Sequence, residues 1–242
     1  MNIQGKSSTN VSKTMMIPSV LMRSAGLSAL LAGLCFIVVG WFHPLNIPSS
    51  VTTAMWANVH LVAMAMSISG LLGLAGLYGR QAEKSGWLGL VGFVLFSVWL
   101  MLMIGFFFIE TFVLPSLATE SPAFVEGFLG VFTGVAGKID FGMLPTVWSL
   151  AGPMFIVGPL LFGIATFRAG ILPRWAGGLL AVSSLLIPAA ALLPPEYEPT
   201  VMIPVGLAMT WLGYALFAER QAQSSESLLD QRSAKLEPSK AA

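Results

Sequence analysis

Polar residues divide the chain into six apolar runs, each long enough to cross a bilayer as a helix, which takes about 20 residues. The runs lie near Ser24–His43, Thr53–Gly79, Trp87–Leu114, Leu144–Phe167, Trp175–Leu193 and Val201–Ala218. They are continuous rather than alternating, which predicts α-helices and argues against a β-barrel. The third is the longest and is expected to tilt or protrude. The long connection, residues 116–140, falls between the third and fourth runs. Ser121-Pro122 there has the pattern of a helix start, with serine as cap and proline in the first turn. Phe124, Phe128 and Phe132 then share one helical face. A short helix over Pro122–Ala136 is expected, either packed on the bundle or acting as a lid over a pocket.

Charge orients this pattern. Only 10% of the 242 residues are charged and 56% are hydrophobic. Soluble domains carry roughly 25% charged residues, so a water-facing fold of this composition could not cover its surface. Lys6, Lys13 and Arg23 precede the first run, and Arg80 and Lys84 separate the second and third. Arg168 and Arg174 separate the fourth and fifth, while Arg220, Arg232, Lys235 and Lys240 follow the sixth. With six crossings all of these lie on one side, leaving only Lys138 on the other among Glu120, Glu126, Asp140, Glu196 and Glu198. The basic side is expected to be cytoplasmic, with both termini there.

The expected architecture is all-α: a six-helix transmembrane bundle over residues 21–220, between disordered polar tails at 1–20 and 221–242. No cleavable signal precedes the first run, which is expected to serve as its own insertion signal. The net charge of +1 gives no general attraction to nucleic acid. The single cysteine, Cys35, excludes an internal disulfide and reads as a packing residue. Small-residue stripes at Ala25, Ala29 and Gly33, at Ala65, Ser69 and Gly73, and at Gly177 and Ala181 predict close helix packing, within the chain or against a second copy. Pro145, Pro153 and Pro159 mark the fourth run as a place for kinks.

Ionisable residues at membrane depth are costly, and they carry the functional reading. Counting outward from the basic boundaries at about 1.5 Å per residue places His43, His60 and Glu110 at a common depth near the outer surface. They belong to three consecutive helices, which usually neighbour one another. Two imidazoles and a carboxylate could hold a metal ion, pass a proton or line a ligand pocket. Haem is disfavoured, because His43 at a helix end would leave it half in water. Trp56 shares a helical face with His60 and borders the same place, although with Trp41 it also suits an outer aromatic belt opposite an inner one at Trp87 and Trp175. Trp99 and Trp211 fall at mid-membrane depth. The methionines do not share a face, which argues against copper.

One set of motifs goes further. His43-Pro44, Trp56 with His60, Glu110 followed by Leu114-Pro115, and Leu172-Pro173-Arg174-Trp175-Ala176-Gly177 resemble a loose group of uncharacterised bacterial six-helix membrane proteins, filed as domains of unknown function. The resemblance implies a six-helix bundle in a bacterial inner membrane and no particular activity. The function expected is small-molecule binding or transport through an outward-facing polar pocket at His43, Trp56, His60 and Glu110. The alternatives are a structural or accessory subunit, bound to a membrane-complex partner or to a second copy, and a metal-dependent membrane enzyme. The lack of an obvious nucleophile counts against the enzyme.

Overall fold

The computed structural model describes residues 19–135 and 137–236, with side chains described from residue 20 to residue 219. Among them all regular structure is helical. Helix α1 spans Ser19–Phe42, the one-turn α2 spans Pro48–Val51, and α3 runs over Ala54–Phe108. A π-helical turn, Ile109–Val113, leads into the short α4 at Leu114–Leu117. Then come α5 (Pro122–Thr133), α6 (Leu144–Ala169), α7 (Arg174–Leu186) and α8 (Ile203–Leu236), with 3₁₀ turns at Ile187–Leu192 and Glu198–Met202. Five stretches are long and apolar enough to cross a membrane, which is consistent with an integral membrane protein.

The 55-residue α3 is not one rod. Gly86 takes φ 58° and ψ −160°, outside the helical region. A side chain rarely tolerates that φ, so glycine makes the break. The two limbs, 54–85 and 87–108, then fold back antiparallel. Tyr78 stacks on Phe93 with ring centroids 4.6 Å apart, and Gly70 sits against Leu100. The sequence suggests a polar loop from Arg80 to Gly86. Instead the helix continues to Ser85, because Arg80-Gln81-Ala82-Glu83-Lys84 are good helix formers, and one residue makes the turn.

The limbs join the other helices in a closed ring, each helix against its chain neighbour and α8 back against α1. Contact on the α1 side is backbone to backbone. A Cβ at Gly73 would collide with Ala29, one at Gly33 with Thr210 and one at Gly213 with Leu30. Ala25, Ala29, Gly33, Ser69 and Gly73 of the small-residue stripes therefore pack within the chain, whereas Ala65 is exposed. Across the ring Gly92 meets Phe162, Gly158 meets Phe96, and Gly163 meets Ala181. The centre is filled with rings: Trp99 stacks on Phe155 at 3.9 Å, and both stack on Phe36. Trp99 is thus core, whereas Trp41, Trp87, Trp175 and Trp211 are exposed on the outside of the ring. Helix α6 runs unbroken through Pro153 and Pro159.

Three boundaries differ from expectation. Helix α5 stops at Thr133, because Gly134 turns left-handed at φ 73° and caps it; Ser121 precedes it but makes no side-chain cap bond. The fifth apolar run gives up α-helix at Leu186 for a 3₁₀ turn carrying Pro188. At the C-terminus, where a disordered tail was expected from residue 221, the backbone is helical to Leu236. Gln, Glu, Ala, Leu, Arg and Lys make up most of that stretch and favour helix, despite its four serines. Residues 1–18 of the other expected tail, and 237–242, lie outside the described residues.

Candidate functional site

His43, Trp56, His60 and Glu110 meet at the end of the bundle opposite Gly86. Each is brought there by a local feature. Pro44 disfavours helix in the residue before it, so α1 ends at Phe42 and leaves His43 in the connection, half-buried. Its Nδ1 donates to the Pro44 carbonyl at 2.8 Å. Thr53 caps α3 by accepting the Trp56 N–H at 3.2 Å. Trp56 and His60 follow one turn apart on the same face. Both are fully buried, with ring centroids 4.1 Å apart.

Glu110 is placed by the π-helical turn, and the cause is Pro115. The Leu114 N–H reaches back five residues to the Ile109 carbonyl, so it does not serve Glu110. Pro115, next in line, has no N–H to give. The Glu110 carbonyl is therefore left out of the helical ladder, and a buried carbonyl without a partner is costly. The Trp56 indole fills the gap: Nε1–H donates to that carbonyl at 2.7 Å. Wide turns of this kind recur at functional sites. Trp56 is thus no member of an exposed aromatic belt, but the brace that ties the two limbs of α3 together.

That brace faces the Glu110 side chain toward His60. His60 Nδ1–H donates to the Trp56 carbonyl at 2.7 Å, which leaves Nε2 as the free ring nitrogen. Nε2 lies 3.6 Å from Glu110 Oε1, too far for a hydrogen bond, and has no other partner among the described residues. His60 is 0% exposed and Glu110 4%. The His43 ring stands edge-on to His60 at 5.0 Å, and Phe107 closes another side at 6.1 Å. A neutral imidazole in this tautomer would turn a lone pair toward a carboxylate. A proton, a donor group of a ligand or a cation placed between them would satisfy both. Among the described residues no three His, Cys, Asp or Glu side chains are placed to hold a metal ion as they stand.

Helix α5 covers this end of the bundle. Phe128 and Phe132 pack on Phe106, Phe132 also lies edge-on to Trp148 at 4.6 Å, and Phe124 meets Phe141. The phenylalanine stripe thus faces Phe106 of α3, Phe141 and, on α6, Trp148.

Sequence reasoning missed three features. The π-helical turn was signalled by a proline five residues after a buried glutamate. At the Gly86 end, Arg80 grips both carboxylate oxygens of Glu219 from Nε, at 3.1 Å each. Beside it Gln81 Nε2 donates to Thr166 Oγ1 at 2.7 Å. No protein-family model, curated protein or solved structure matches the chain.

Proposed function

We propose that the protein crosses the membrane six times with both ends in the cytoplasm. We further propose that it binds or carries a small molecule at the His43–His60–Glu110 cluster, near the outer surface of a bacterial inner membrane. The single observation behind the functional reading is His60 Nε2: fully buried, unpartnered and aimed at a carboxylate. Buried polar atoms are nearly always satisfied, so an exception of this kind points to use rather than packing. Two further features support the topology. The break at Gly86 turns five apolar stretches into six limbs, and Arg23, Arg80, Lys84 and Arg168 gather at the Gly86 end. On this reading α5, packed on Phe106 and Trp148 at the same end, acts as the lid.

The chain's one native cysteine makes the test direct. In a Cys35→Ser background, His60→Cys is exposed to a membrane-impermeant thiol reagent from either side of sealed vesicles. Slow labelling from the outside only, accelerated by Phe128→Ala in the lid, is the expected result. Complete protection from both sides would remove the binding and transport reading in favour of a structural subunit.

A further inference from the structure

We infer that a cleft at the Gly86 end is a binding site for the phosphate group of an anionic phospholipid. The cleft holds about 230 Å³ and is lined by Lys84, Gly86 and Trp87 from the turn of α3 and by Ala165 and Arg168 from α6. A single water needs only about 10–15 Å³ of such space. It exists because the helices diverge above a close contact: Gly89 nears Ala165 and Gly92 touches the Phe162 backbone, whereas a Cβ at Gly86 would meet nothing within 4 Å.

Two cations reach this space from opposite walls. Neither Lys84 nor Arg168 has a carboxylate partner among the described residues, unlike Arg80, which Glu219 occupies. Glu83 adjoins Lys84 in sequence, but adjacent helical residues do not face each other. Two unpaired cations around an open cleft call for an anion, and charge-assisted bonds to phosphate oxygens suit both side chains. Basic clefts between membrane helices take phospholipid headgroups in this way.

The surroundings favour a lipid over free phosphate. Trp87 is 74% exposed, as expected of an aromatic at headgroup depth. Leu90, Val91 and Val94 follow on its helical face and are exposed as well. A phosphate held by Lys84 and Arg168 would therefore leave an acyl chain running down an apolar track on α3. Free phosphate would use the cations and ignore the track.

The test uses the full-length protein, purified in detergent and examined by native mass spectrometry. Samples are offered phosphatidylglycerol, phosphatidylcholine or inorganic phosphate alone. The wild type is expected to retain one phosphatidylglycerol through delipidating washes and no phosphatidylcholine. Lys84→Gln with Arg168→Gln is expected to lose that lipid while remaining monodisperse on gel filtration. Arg174→Gln, which removes a charge near the same end but outside the cleft, is expected to keep it. Should the double variant misfold, Lys84→Gln alone is expected to weaken retention by about tenfold, the effect of about 1.4 kcal/mol. Equal retention by wild type and cleft variants, or equal loss in Arg174→Gln, would overturn the site. Displacement of the lipid by inorganic phosphate would overturn the lipid and leave a soluble anion as the ligand.

Discussion

Arg80 and Glu219 face each other at one end of the bundle, and His60 and Glu110 at the other. Both pairs join a limb of α3 to another segment. At the Gly86 end the charges are complementary and the geometry is complete: Arg80 Nε–H is shared between both Glu219 oxygens, Nη2 donates to Oε1, and solvent reaches the rim. What remains there is Gln81 Oε1, a neutral amide oxygen without a partner. At the far end Asn46 Oδ1 is likewise a neutral amide oxygen without a partner among the described residues, but His60 Nε2 belongs to a titratable ring, sits opposite a carboxylate and is shut off from solvent. Polar side chains that merely fasten helices can settle into mutual satisfaction. A pair held 3.6 Å apart beside a braced indole is not closed by a hydrogen bond of its own.

The largest expected effect is at the unsatisfied end. His60→Ala leaves the Glu110 carboxylate buried with no counterpart, and breaking a buried pair from one side costs about 3–5 kcal/mol. Equilibrium unfolding in mixed micelles should show that loss, unless the carboxyl takes up a proton, which infrared spectroscopy of its C=O stretch would detect. The complementary experiment removes both partners. His60→Met with Glu110→Met should gain about 1–4 kcal/mol, because well-packed apolar residues replace a pair that is costly to desolvate. Gain of stability in the double variant would mark a pair kept for function rather than for holding the fold. Loss of stability in the double variant would make the pair structural and collapse the contrast between the two ends.

Next in size is the brace. Trp56→Phe keeps a ring against His60 but withdraws the N–H from the Glu110 carbonyl, which should cost about 1–3 kcal/mol. Pro115→Ala in that background restores a backbone N–H within reach of the orphaned carbonyl, or lets the turn relax to α-helix. It should therefore recover part of the loss. A rescue no larger in Trp56→Phe than in wild type would mean that Pro115 does not create the π-helical turn.

Much of this was legible in the chain itself. Counting residues outward from basic boundaries put His60 and Glu110 at the same depth, and they meet at 3.6 Å. Hydropathy located the apolar helices, and the four-residue spacing of Phe124, Phe128 and Phe132 found α5. What stayed hidden depends on backbone detail or on distance along the chain. Arg80-Gln81-Ala82-Glu83-Lys84 is polar enough to read as a loop, yet its residues prefer helix, so the turn shrinks to Gly86. Trp56 reads as a belt residue by depth, because nothing local reveals an orphaned carbonyl 54 residues away. Arg80 and Glu219 are 139 positions apart, and counting cations to find the membrane face ignores their acidic partners.

The smallest expected effect closes the comparison from the satisfied end. Glu219→Gln removes the charge facing Arg80 but keeps an oxygen that can accept one of its bonds. Both side chains are about a quarter exposed, so water takes over part of the lost interaction. Pairs near the surface contribute roughly 0–1 kcal/mol, and that is the range expected in the same unfolding experiment. The residual should shrink further as salt rises, because screening acts on charges that solvent reaches. The His60→Ala penalty should not respond to salt, since no solvent reaches Nε2. If Glu219→Gln proved as costly and as insensitive to salt as His60→Ala, the two ends would be equivalent fastenings. The free nitrogen of His60 would then lose its claim to mark a working site.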